Sequence, residues 1–295
     1  MPSGRPASAR STARARPRPA DASAPAGDAV DRRPAPVIIT LVRRERVRTV
    51  LKTAFPRRRA TLLSARVAED VATFLRTQLV DAVVLDLSAG DEALKAAELA
   101  ADFPAHPFLG LSPAHAGDAP AIARAVRGGL ADVLLDGLDD LLVRDRVLQW
   151  GFTRRFGAAL DEPPDVLGLD TPLKREVWSR IVAHGGRPVR TDALARALGM
   201  SREHLSRSFA RPERAAAGRE PPTLKRVIDL VRLIAAAELA KNPGHDVKDV
   251  AQVLAFASTS HLSVTTQRLV GVKAPSLARL RTVDLLDRFA RGGGA

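Results

Sequence analysis

The sequence predicts a two-domain protein, in which an α/β domain with a doubly wound, five-stranded parallel sheet is followed by an all-α domain. The first observation is that short apolar runs alternate with helix-spaced segments between residues 36 and 150. The second is that no strand-like run follows Asp165, where apolar residues recur only at helical spacing. Strand-helix alternation is typical of a parallel sheet covered on both faces, and helical spacing alone is typical of a helical domain.

Length and composition fit this organisation and exclude several classes of protein. A chain of 295 residues can form two ordinary cores, and 45% hydrophobic with 27% charged residues is typical of globular proteins. The absence of cysteine excludes disulfides, thiolate nucleophiles, iron-sulfur clusters and cysteine-based zinc sites. No apolar run approaches the roughly 18 residues of a membrane span, and no secretory signal is evident. We therefore expect a soluble, cytoplasmic protein without membrane contact or cofactor.

Residues 1–35 are expected to form a disordered basic tail. They consist almost entirely of Ala, Arg, Pro, Ser, Gly and Asp, without aromatic residues or a hydrophobic period. This arginine-rich composition also resembles an organellar transit peptide. Such a peptide needs an amphipathic helix, which Pro6, Pro17, Pro19 and Pro25 would interrupt, so the solvated tail is favoured.

The α/β domain is predicted over residues 36–150. Five apolar runs have the length of buried strands and are separated by helix-like segments. The predicted strands are Val37–Val42, Thr61–Ala65, Ala82–Leu87, Phe108–Leu111 and Val133–Leu135. A unit of this size is typical of a doubly wound sheet with strand order 2-1-3-4-5. A linker over residues 151–170, which contains Pro163 and Pro164, is expected to follow.

The all-α domain is predicted over residues 171–285, before a flexible tail at residues 286–295. Apolar residues at helical spacing mark about seven helices, most of them short. The predicted helices are Leu173–His184, Thr191–Leu198, Ser201–Ala210, Thr223–Ala240, Val247–Leu254, Ser258–Leu269 and Leu277–Phe289.

Positive charge is concentrated in this last part of the chain. The net charge is +13, with a pI near 11.2. Residues 166–295 carry 22 of the 46 basic and 12 of the 33 acidic side chains, a balance of +10, whereas residues 36–165 are close to neutral. Such a charge favours a polyanionic partner, although a membrane surface would also attract it.

The segment from Thr191 to Phe209 has the spacing of a helix-turn-helix unit. Ala195 is small enough for a close helix crossing, Gly199 suits a turn with positive φ, and Ser201 can cap the next helix. Leu205 and Phe209 would anchor that helix to the core. The side chains left facing outward, where a DNA major groove would receive them, are Arg202, Glu203, Ser206 and Arg207. The alternative is an αα-hairpin in a bundle, which also uses glycine at its turn.

A second copy of this pattern follows about 56 residues later. Ala251, Ala255, Ser258 and Leu262 correspond to the alanine, glycine, serine and leucine of the first copy. The apolar helix predicted between the copies spans about 27 Å at 1.5 Å per residue. Together with the units at its ends, this length would place the two outward-facing helices about 34 Å apart, one turn of B-DNA.

Roughly residues 172–281 resemble the DNA-binding domain of AraC/XylS-type transcription regulators. The family pattern of Leu-Ala, a short gap and Ser-x-x-His-Leu-x-Arg-x-Phe is present at Leu194-Ala195 and at residues 201–209. The remaining matches are Arg232-Leu233 with Ala236 in the linker helix, and Val250-Ala251, Phe256, Ser258, His261-Leu262-Ser263, Gly271 and Pro275 in the second unit. The sequence departs from the family at Ala255 (usually glycine), Val264 (usually basic) and Thr266 (usually aromatic), and the connector from Phe209 to Gly218 is longer than usual.

The resemblance implies that double-stranded DNA is the partner. Family base-reading positions correspond to Glu203, Ser206 and Arg207 in the first unit and to Ser260, His261 and Val264 in the second. The full set of candidate DNA-binding residues is Arg202, Glu203, His204, Ser206, Arg207, Arg211, Thr259, Ser260, His261, Ser263, Val264 and Arg268. Further phosphate contacts are expected from Arg190, Arg196 and Arg226.

The α/β domain resembles a response-regulator receiver that lacks most of its chemistry. Asp86 ends the third strand, where receivers place the phosphate-accepting aspartate, and Ser112 matches the hydroxyl residue that follows the fourth. The acidic pair that would hold Mg²⁺ is replaced by Arg43-Arg44, and Asp136 stands where a lysine is required. We interpret the domain as a pseudo-receiver that serves regulation, homodimerisation or partner binding. Asp86 is its candidate phosphoacceptor, although a strand-end carboxylate without chemistry is the favoured interpretation.

These observations predict a sequence-specific DNA-binding transcription regulator. The alternatives are a response regulator driven by phosphorylation of Asp86, and a protein-interaction scaffold that does not bind DNA. No Walker loop, G-x-S-x-G elbow or H-E-x-x-H motif is present, so we expect no enzymatic activity. Scattered histidines, His106, His115, His184 and His245, are expected at surface or capping positions, and Trp150 and Trp178 in the core.

Overall fold

The computed structural model describes residues 34–114, 119–210 and 222–292. The predicted basic tail lies outside these ranges except for its last two residues. His115 and Arg211, both considered above, also lie outside the described residues.

A five-stranded parallel sheet forms the centre of the α/β domain. Its strands are β1 (Val37–Leu41), β2 (Thr61–Ala65), β3 (Ala82–Asp86), β4 (Phe108–Pro113) and β5 (Asp132–Asp136). They are arranged in the order β2-β1-β3-β4-β5, and every neighbouring pair is parallel. The predicted fold class and strand order are therefore confirmed.

Helices cover both faces of this sheet. They are α1 (Glu45–Ala54), α2 (Ala68–Thr77), α3 (Asp91–Glu98), α4 (Ala119–Arg127) and α5 (Val143–Trp150). Because side chains alternate along a strand, Ile39 and Val83 are buried with residues of α2, α3 and α4. Their neighbours Ile38 and Val84 are buried with residues of α1 and α5 on the other face. This two-sided burial explains why the strands have continuous apolar sequences.

The segment 151–170, expected as a linker, folds against the helical part of the chain. It contains α6 (Phe152–Ala158) and a single 3₁₀ turn at Asp165–Leu167. Phe152 and Phe156, four residues apart, stack with ring centroids 5.8 Å apart, and both are buried in the helical core with Leu167. Leu160 and Leu167, on either side of Pro163 and Pro164, are buried in the same core, so the segment packs on both sides of the two prolines.

The remaining helices form the all-α part of the chain. They are α7 (Pro172–Ala183), α8 (Thr191–Ala197), α9 (Arg202–Ala210), α10 (Leu224–Leu239), α11 (Val247–Val253), α12 (Thr259–Val270) and α13 (Thr282–Ala290). Most side chains of α10 are buried, so it is the central helix. Trp178 is fully buried and donates its indole N–H to the Leu160 carbonyl at 2.9 Å, whereas Trp150 is only half-buried.

The last predicted helix is divided in the structure. A 3₁₀ segment at Ala274–Arg279 precedes α13, and the break lies at Leu280 and Arg281, which have extended backbone. Leu286 and Phe289 of α13 are buried, so the expected flexible tail at 286–295 begins inside a packed helix. None of the helices in the described ranges combines the length and apolar character needed to span a lipid bilayer.

Two helix-turn-helix units, α8–α9 and α11–α12, have the same backbone pattern. In the first turn the Met200 N–H donates to the Ala195 carbonyl at 3.0 Å; in the second the Phe256 N–H donates to Ala251 at 2.8 Å. Ser201 and Ser258 cap α9 and α12 by accepting from backbone N–H groups three residues on, at 3.1 and 3.0 Å. The second unit therefore repeats the first.

Candidate functional site

Three charged side chains meet at the carboxyl edge of the sheet. Asp86 ends β3, Asp136 ends β5, and Arg44 lies between β1 and α1. The carboxyl ends of parallel strands lie at one edge, which is where doubly wound domains place their functional residues. The Asp86 side chain is completely buried, and that of Asp136 is nearly so. We call these three residues the strand-end charge cluster.

The Arg44 guanidinium occupies the space between the two carboxylates. Its Nη2 lies 2.8 Å from Oδ1 of Asp86, and its Nη1 lies 2.6 Å from Oδ2 of Asp136. The Arg44 backbone N–H donates to Oδ2 of Asp86 at 3.2 Å, and the Ser88 hydroxyl donates to Oδ1 at 2.7 Å. Both oxygens of Asp86 are therefore engaged by donors of the protein.

These contacts determine the charge state of the cluster. Burial by itself would raise the pKa of Asp86, but hydrogen bonds from Arg44 and Ser88 and the positive charge of Arg44 outweigh it, so the pKa lies below its usual value. The pKa of Arg44 is raised by its two carboxylate partners, although burial opposes this effect. Asp86 and Arg44 are consequently both charged at neutral pH.

The cluster does not fit the Mg²⁺ ion that receiver chemistry requires. Magnesium needs oxygen ligands, but the oxygens of Asp86 already accept from Arg44 and Ser88. Glu45, the nearest acidic residue after β1, is exposed and pairs with Arg48 at 2.9 Å. Ser112 is buried, and its hydroxyl donates to the Pro113 carbonyl at 3.3 Å. The arrangement is that of a structural ion pair with an internal cation.

The second candidate site is the outer surface of the helix-turn-helix units. Leu205 and Phe209 of α9 are buried, as is Leu262 of α12, so each helix packs through one apolar face. The candidate DNA-binding residues that are exposed are Arg202, Glu203, His204, Ser206 and Arg207 on α9 and Thr259, Ser260, His261, Val264 and Arg268 on α12. Ser263 is half-buried. The structure thus places the described candidates on two surfaces, one formed by α9 and the other by α12.

The two surfaces differ in charge. In the described part of the chain, Arg202 and Arg207 of α9 have no carboxylate partner. On α12, Arg268 lies 3.2 Å from Asp229 of α10, and Val264 is 63% exposed. Thr266, at the position where an aromatic residue was expected from the resemblance, is fully buried and donates to the Leu262 carbonyl at 2.8 Å. The α9 surface therefore offers cations to a polyanion, and the α12 surface is mainly neutral.

Three further arginines were predicted to contact DNA phosphates although they lie outside α9 and α12. All three have partners within the protein. Arg190 and Arg196 both pair with Asp192, at 3.1 and 3.6 Å. The Arg226 guanidinium lies 5.2 Å from the centre of the Phe289 ring. All three would have to exchange or share these partners to bind a phosphate.

Arg232 is a residue of α10 whose contacts with the second unit the sequence did not indicate. Its Nη2 donates to the carbonyls of Leu254 and Ala255 at 2.8 and 3.2 Å, and its guanidinium lies 4.1 Å from the centre of the Phe256 ring. These contacts hold the turn between α11 and α12 against α10. The Arg232-Leu233 pair in the sequence was the available signal, but the contacts follow only from the fold.

Two histidines, His106 and His245, do not lie at the surface or capping positions expected from the sequence. His106 is fully buried and its Nδ1 donates to the Val80 carbonyl at 3.0 Å; burial, with the nearby His245, lowers its pKa to about 3. The His106 and His245 rings lie 5.9 Å apart, between the α/β domain and the helical part. His184, in contrast, is at the end of α7, where its Nδ1 donates to the Arg180 carbonyl at 2.7 Å.

Comparisons with known proteins concern the overall architecture. The chain matches none of the protein-family models and none of the curated proteins with which it was compared. A response regulator from Thermotoga maritima is 22% identical over 39% of this chain and 97% of its own, with a TM-score of 0.34. A response regulator from Burkholderia pseudomallei, solved with a phosphorylated aspartic acid, is 21% identical over 60% of this chain and 99% of its own (TM-score 0.33). Full-length FixJ from B. japonicum is 15% identical over 76% of this chain and 98% of its own, with a TM-score of 0.35.

The strand order defines the class of the α/β domain. The order 2-1-3-4-5 with helices on both faces is the flavodoxin-like arrangement of receivers. This chain therefore consists of a receiver-like α/β domain followed by a mostly helical region.

Proposed function

We propose that the protein is a sequence-specific, double-stranded-DNA-binding transcription regulator of the AraC/XylS type. In this proposal its two helix-turn-helix units read successive major-groove segments, and the pseudo-receiver serves as a regulatory or dimerisation domain. The observation that carries the proposal is the repeat of one turn and cap geometry in both units, with polar faces directed outward.

The first unit has the properties of a base-reading helix. Docked helix-turn-helix proteins insert the second helix of the unit into the major groove and contact bases from its N-terminal half. In α9 that half contains Arg202, Glu203 and Ser206, followed by Arg207, and all four side chains are exposed. A guanidinium at Arg207 can bond O6 and N7 of guanine together.

The dimensions of the helical region suit two successive segments. The 16 residues of α10 extend about 24 Å at 1.5 Å per residue. The two units contact this helix through α9 and α12. When the widths of the two units are added, the separation between the outward-facing helices approaches the roughly 34 Å of one DNA turn.

The second unit is proposed to contribute less to sequence discrimination. Val264 can offer only apolar contact, for example to a thymine methyl group, and Arg268 is already paired with Asp229. Most base-specific bonding would then come from α9, while α12 would add shape and neutral polar contacts.

The strand-end charge cluster supports regulation without phosphorylation. To accept a phosphoryl group, the Asp86 carboxylate must have a free oxygen that attacks the donor. The negative charge on the transferred phosphoryl group must also be neutralised. Here both oxygens accept bonds from Arg44 and Ser88, and Arg44, the cation beside them, is also paired with Asp136. We therefore propose that the domain has one charge state and responds to a partner or a second copy.

Selection from a random library of 30-base-pair duplexes with the full chain tests the proposal. We expect enrichment of a bipartite motif at physiological salt. Arg207→Ala should weaken binding and relax the preference at one base pair. The matched control is Arg124→Ala, an exposed arginine on α4, which should retain the wild-type motif. No enrichment by the wild type would contradict DNA reading and favour the scaffold alternative.

A further inference from the structure

The loops that precede the two helix-turn-helix units occupy equivalent places in the repeat. Residues 184–190 lead into α8 and residues 240–246 lead into α11, again about 56 residues apart. Both loops contact the α/β domain at the amino edge of its sheet, opposite the strand-end charge cluster. We call this surface, formed by residues 75–81 and 102–106, the docking edge.

The first loop is held by a buried ion pair. The Arg187 Nη2 lies 2.7 Å from Oδ2 of Asp81, which directly precedes β3 and is 4% exposed. Arg187 also donates to the Leu79 carbonyl at 3.3 Å and to the Thr153 hydroxyl at 3.1 Å. The same Asp81 carboxylate accepts from the Val37 N–H at 2.9 Å. The start of β1, the start of β3, α6 and the first loop are thereby joined at one carboxylate.

The second loop is held by a row of hydrogen bonds. The buried Asn242 side chain accepts from the Ala105 N–H at 2.8 Å, and the Gly244 N–H donates to the Asp102 carbonyl at 2.8 Å. The His245 Nε2 donates to the Leu75 carbonyl at 2.9 Å. These bonds tie the segment before α11 to α2 and to the loop between α3 and β4.

Close packing makes this second contact specific. The backbone of Gly244 lies against the Phe103 ring, so that a Cβ at Gly244 would stand 2.5 Å from the ring carbon Cζ. Phe103 is itself fully buried, and its ring is edge-on to His245 at 5.1 Å. A side chain at residue 244 therefore cannot be accommodated without moving the loop or the ring.

We propose that the docking edge sets the separation and relative orientation of the two DNA-reading helices, with Asp81 and Asn242 as positioning residues. This inference rests on the proposed function. Both units already pack on α10, through α9 and α12. The docking edge is a second connection, which contacts the loop before each unit and further restrains rotation of the unit about α10.

The docked arrangement leaves the reading surfaces open. Arg202 and Arg207 on α9, and Ser260 and Val264 on α12, are exposed while both loops contact the α/β domain. The contact therefore does not cover either DNA-binding surface. It acts on the geometry between them, and the property that it determines is the base-pair spacing that the protein accepts.

The test compares Gly244→Ala with the matched control Gly157→Ala. A Cβ at Gly157 would meet only the Val182 side chain at 3.8 Å, an ordinary contact. Neither glycine requires positive φ, and Gly157 lies in α6, where alanine is well accommodated, so only Gly244→Ala introduces a collision. Hydrogen exchange of the full chain provides the first readout. We expect amides of residues 240–258 to exchange at least tenfold faster in Gly244→Ala and unchanged in Gly157→Ala.

The second readout is the penalty for changing the spacing of the selected duplex. One inserted base pair between the two protected segments moves them apart by about 3.4 Å and rotates them by about 34°. Wild type and Gly157→Ala should lose at least tenfold in affinity on this insertion, and Gly244→Ala less than threefold. The proposal is overturned if Gly244→Ala still loses tenfold in affinity on the insertion, or if its amides at residues 240–258 exchange at the wild-type rate. If wild type selects no duplex, the proposed function and the spacing role both fail, while the exchange data still report whether the docking edge forms.

Discussion

The turns of the two helix-turn-helix units should respond oppositely to exchanging glycine and alanine. Gly199 has a φ of +66°, and Ala255, at the equivalent place, has a φ of +53°. Ala255 is the one residue other than glycine with positive φ in the described ranges. Ala255→Gly should stabilise the protein, and Gly199→Ala should destabilise it.

The magnitude follows from the backbone because side-chain packing contributes little at either place. A Cβ at Gly199 would meet nothing within 4 Å, and Ala255 is exposed. The left-handed conformation costs a residue with a Cβ about 1–2 kcal/mol. Glycine loses about 0.4–1 kcal/mol more conformational entropy on folding. The difference is about 0.5–1 kcal/mol in the free energy of unfolding, with opposite signs in the two variants.

Equilibrium urea unfolding of the full chain, followed by circular dichroism, measures these differences. The double variant Gly199→Ala with Ala255→Gly should return close to the wild-type midpoint, since distant substitutions are nearly additive. A lower midpoint for Ala255→Gly would refute the reasoning. It would mean that contacts of the alanine methyl group outweigh the strain of its backbone.

Further predictions concern the charge cluster and the DNA surface. Asp86→Asn should lower the free energy of unfolding at pH 7 by about 1–3 kcal/mol, measured by urea unfolding, because it removes charged hydrogen bonds, and should leave DNA binding unchanged. Since the folded-state pKa of Asp86 is lowered, this stability difference should persist above pH 4 and disappear as the pH falls through that lowered pKa, in the same assay repeated by pH. Acetyl phosphate with Mg²⁺ should label no aspartate, as followed by intact mass; stoichiometric labelling of Asp86 would restore the phosphorylation-driven alternative. Arg207→Ala should lose about 1–3 kcal/mol of discrimination at one base pair, whereas Val264→Ala should lose almost none in competition binding; equal losses would contradict the proposed asymmetry.

Much of the fold was predictable because buried parallel strands have a simple sequence signature. The run Ala82–Asp86 is fully buried and apolar up to its last residue, and its limits were predicted to within one residue. The turns were recognisable for a local reason, since Gly199 and Ser201 each satisfy a backbone requirement of the turn or cap. Two prolines suggested a linker over residues 151–170, but no local pattern indicated that Phe152 and Phe156 of this segment are buried.

The charge cluster and the docking edge could not be predicted in the same way. In the sequence, Arg44 was noted only because it replaces part of the acidic pair of receivers. Its partners Asp86 and Asp136 are 42 and 92 positions away, so the contacts depend on the strand order. Asn242 and His245 bond to backbone groups about 137 and 170 positions away, which no local pattern encodes. Sequence indicated the residue types, and tertiary structure supplied their partners.

The affinity of the full chain for its selected duplex, measured across salt concentration, tests the central claim most directly. Neutralisation of DNA phosphates releases condensed counterions, with a slope of about −0.9 per phosphate in a plot of log K against log salt. We predict a steep negative slope and a preference for the selected over a scrambled duplex at every salt concentration. A flat plot, or equal binding of the two duplexes, would contradict sequence-specific DNA binding by this protein.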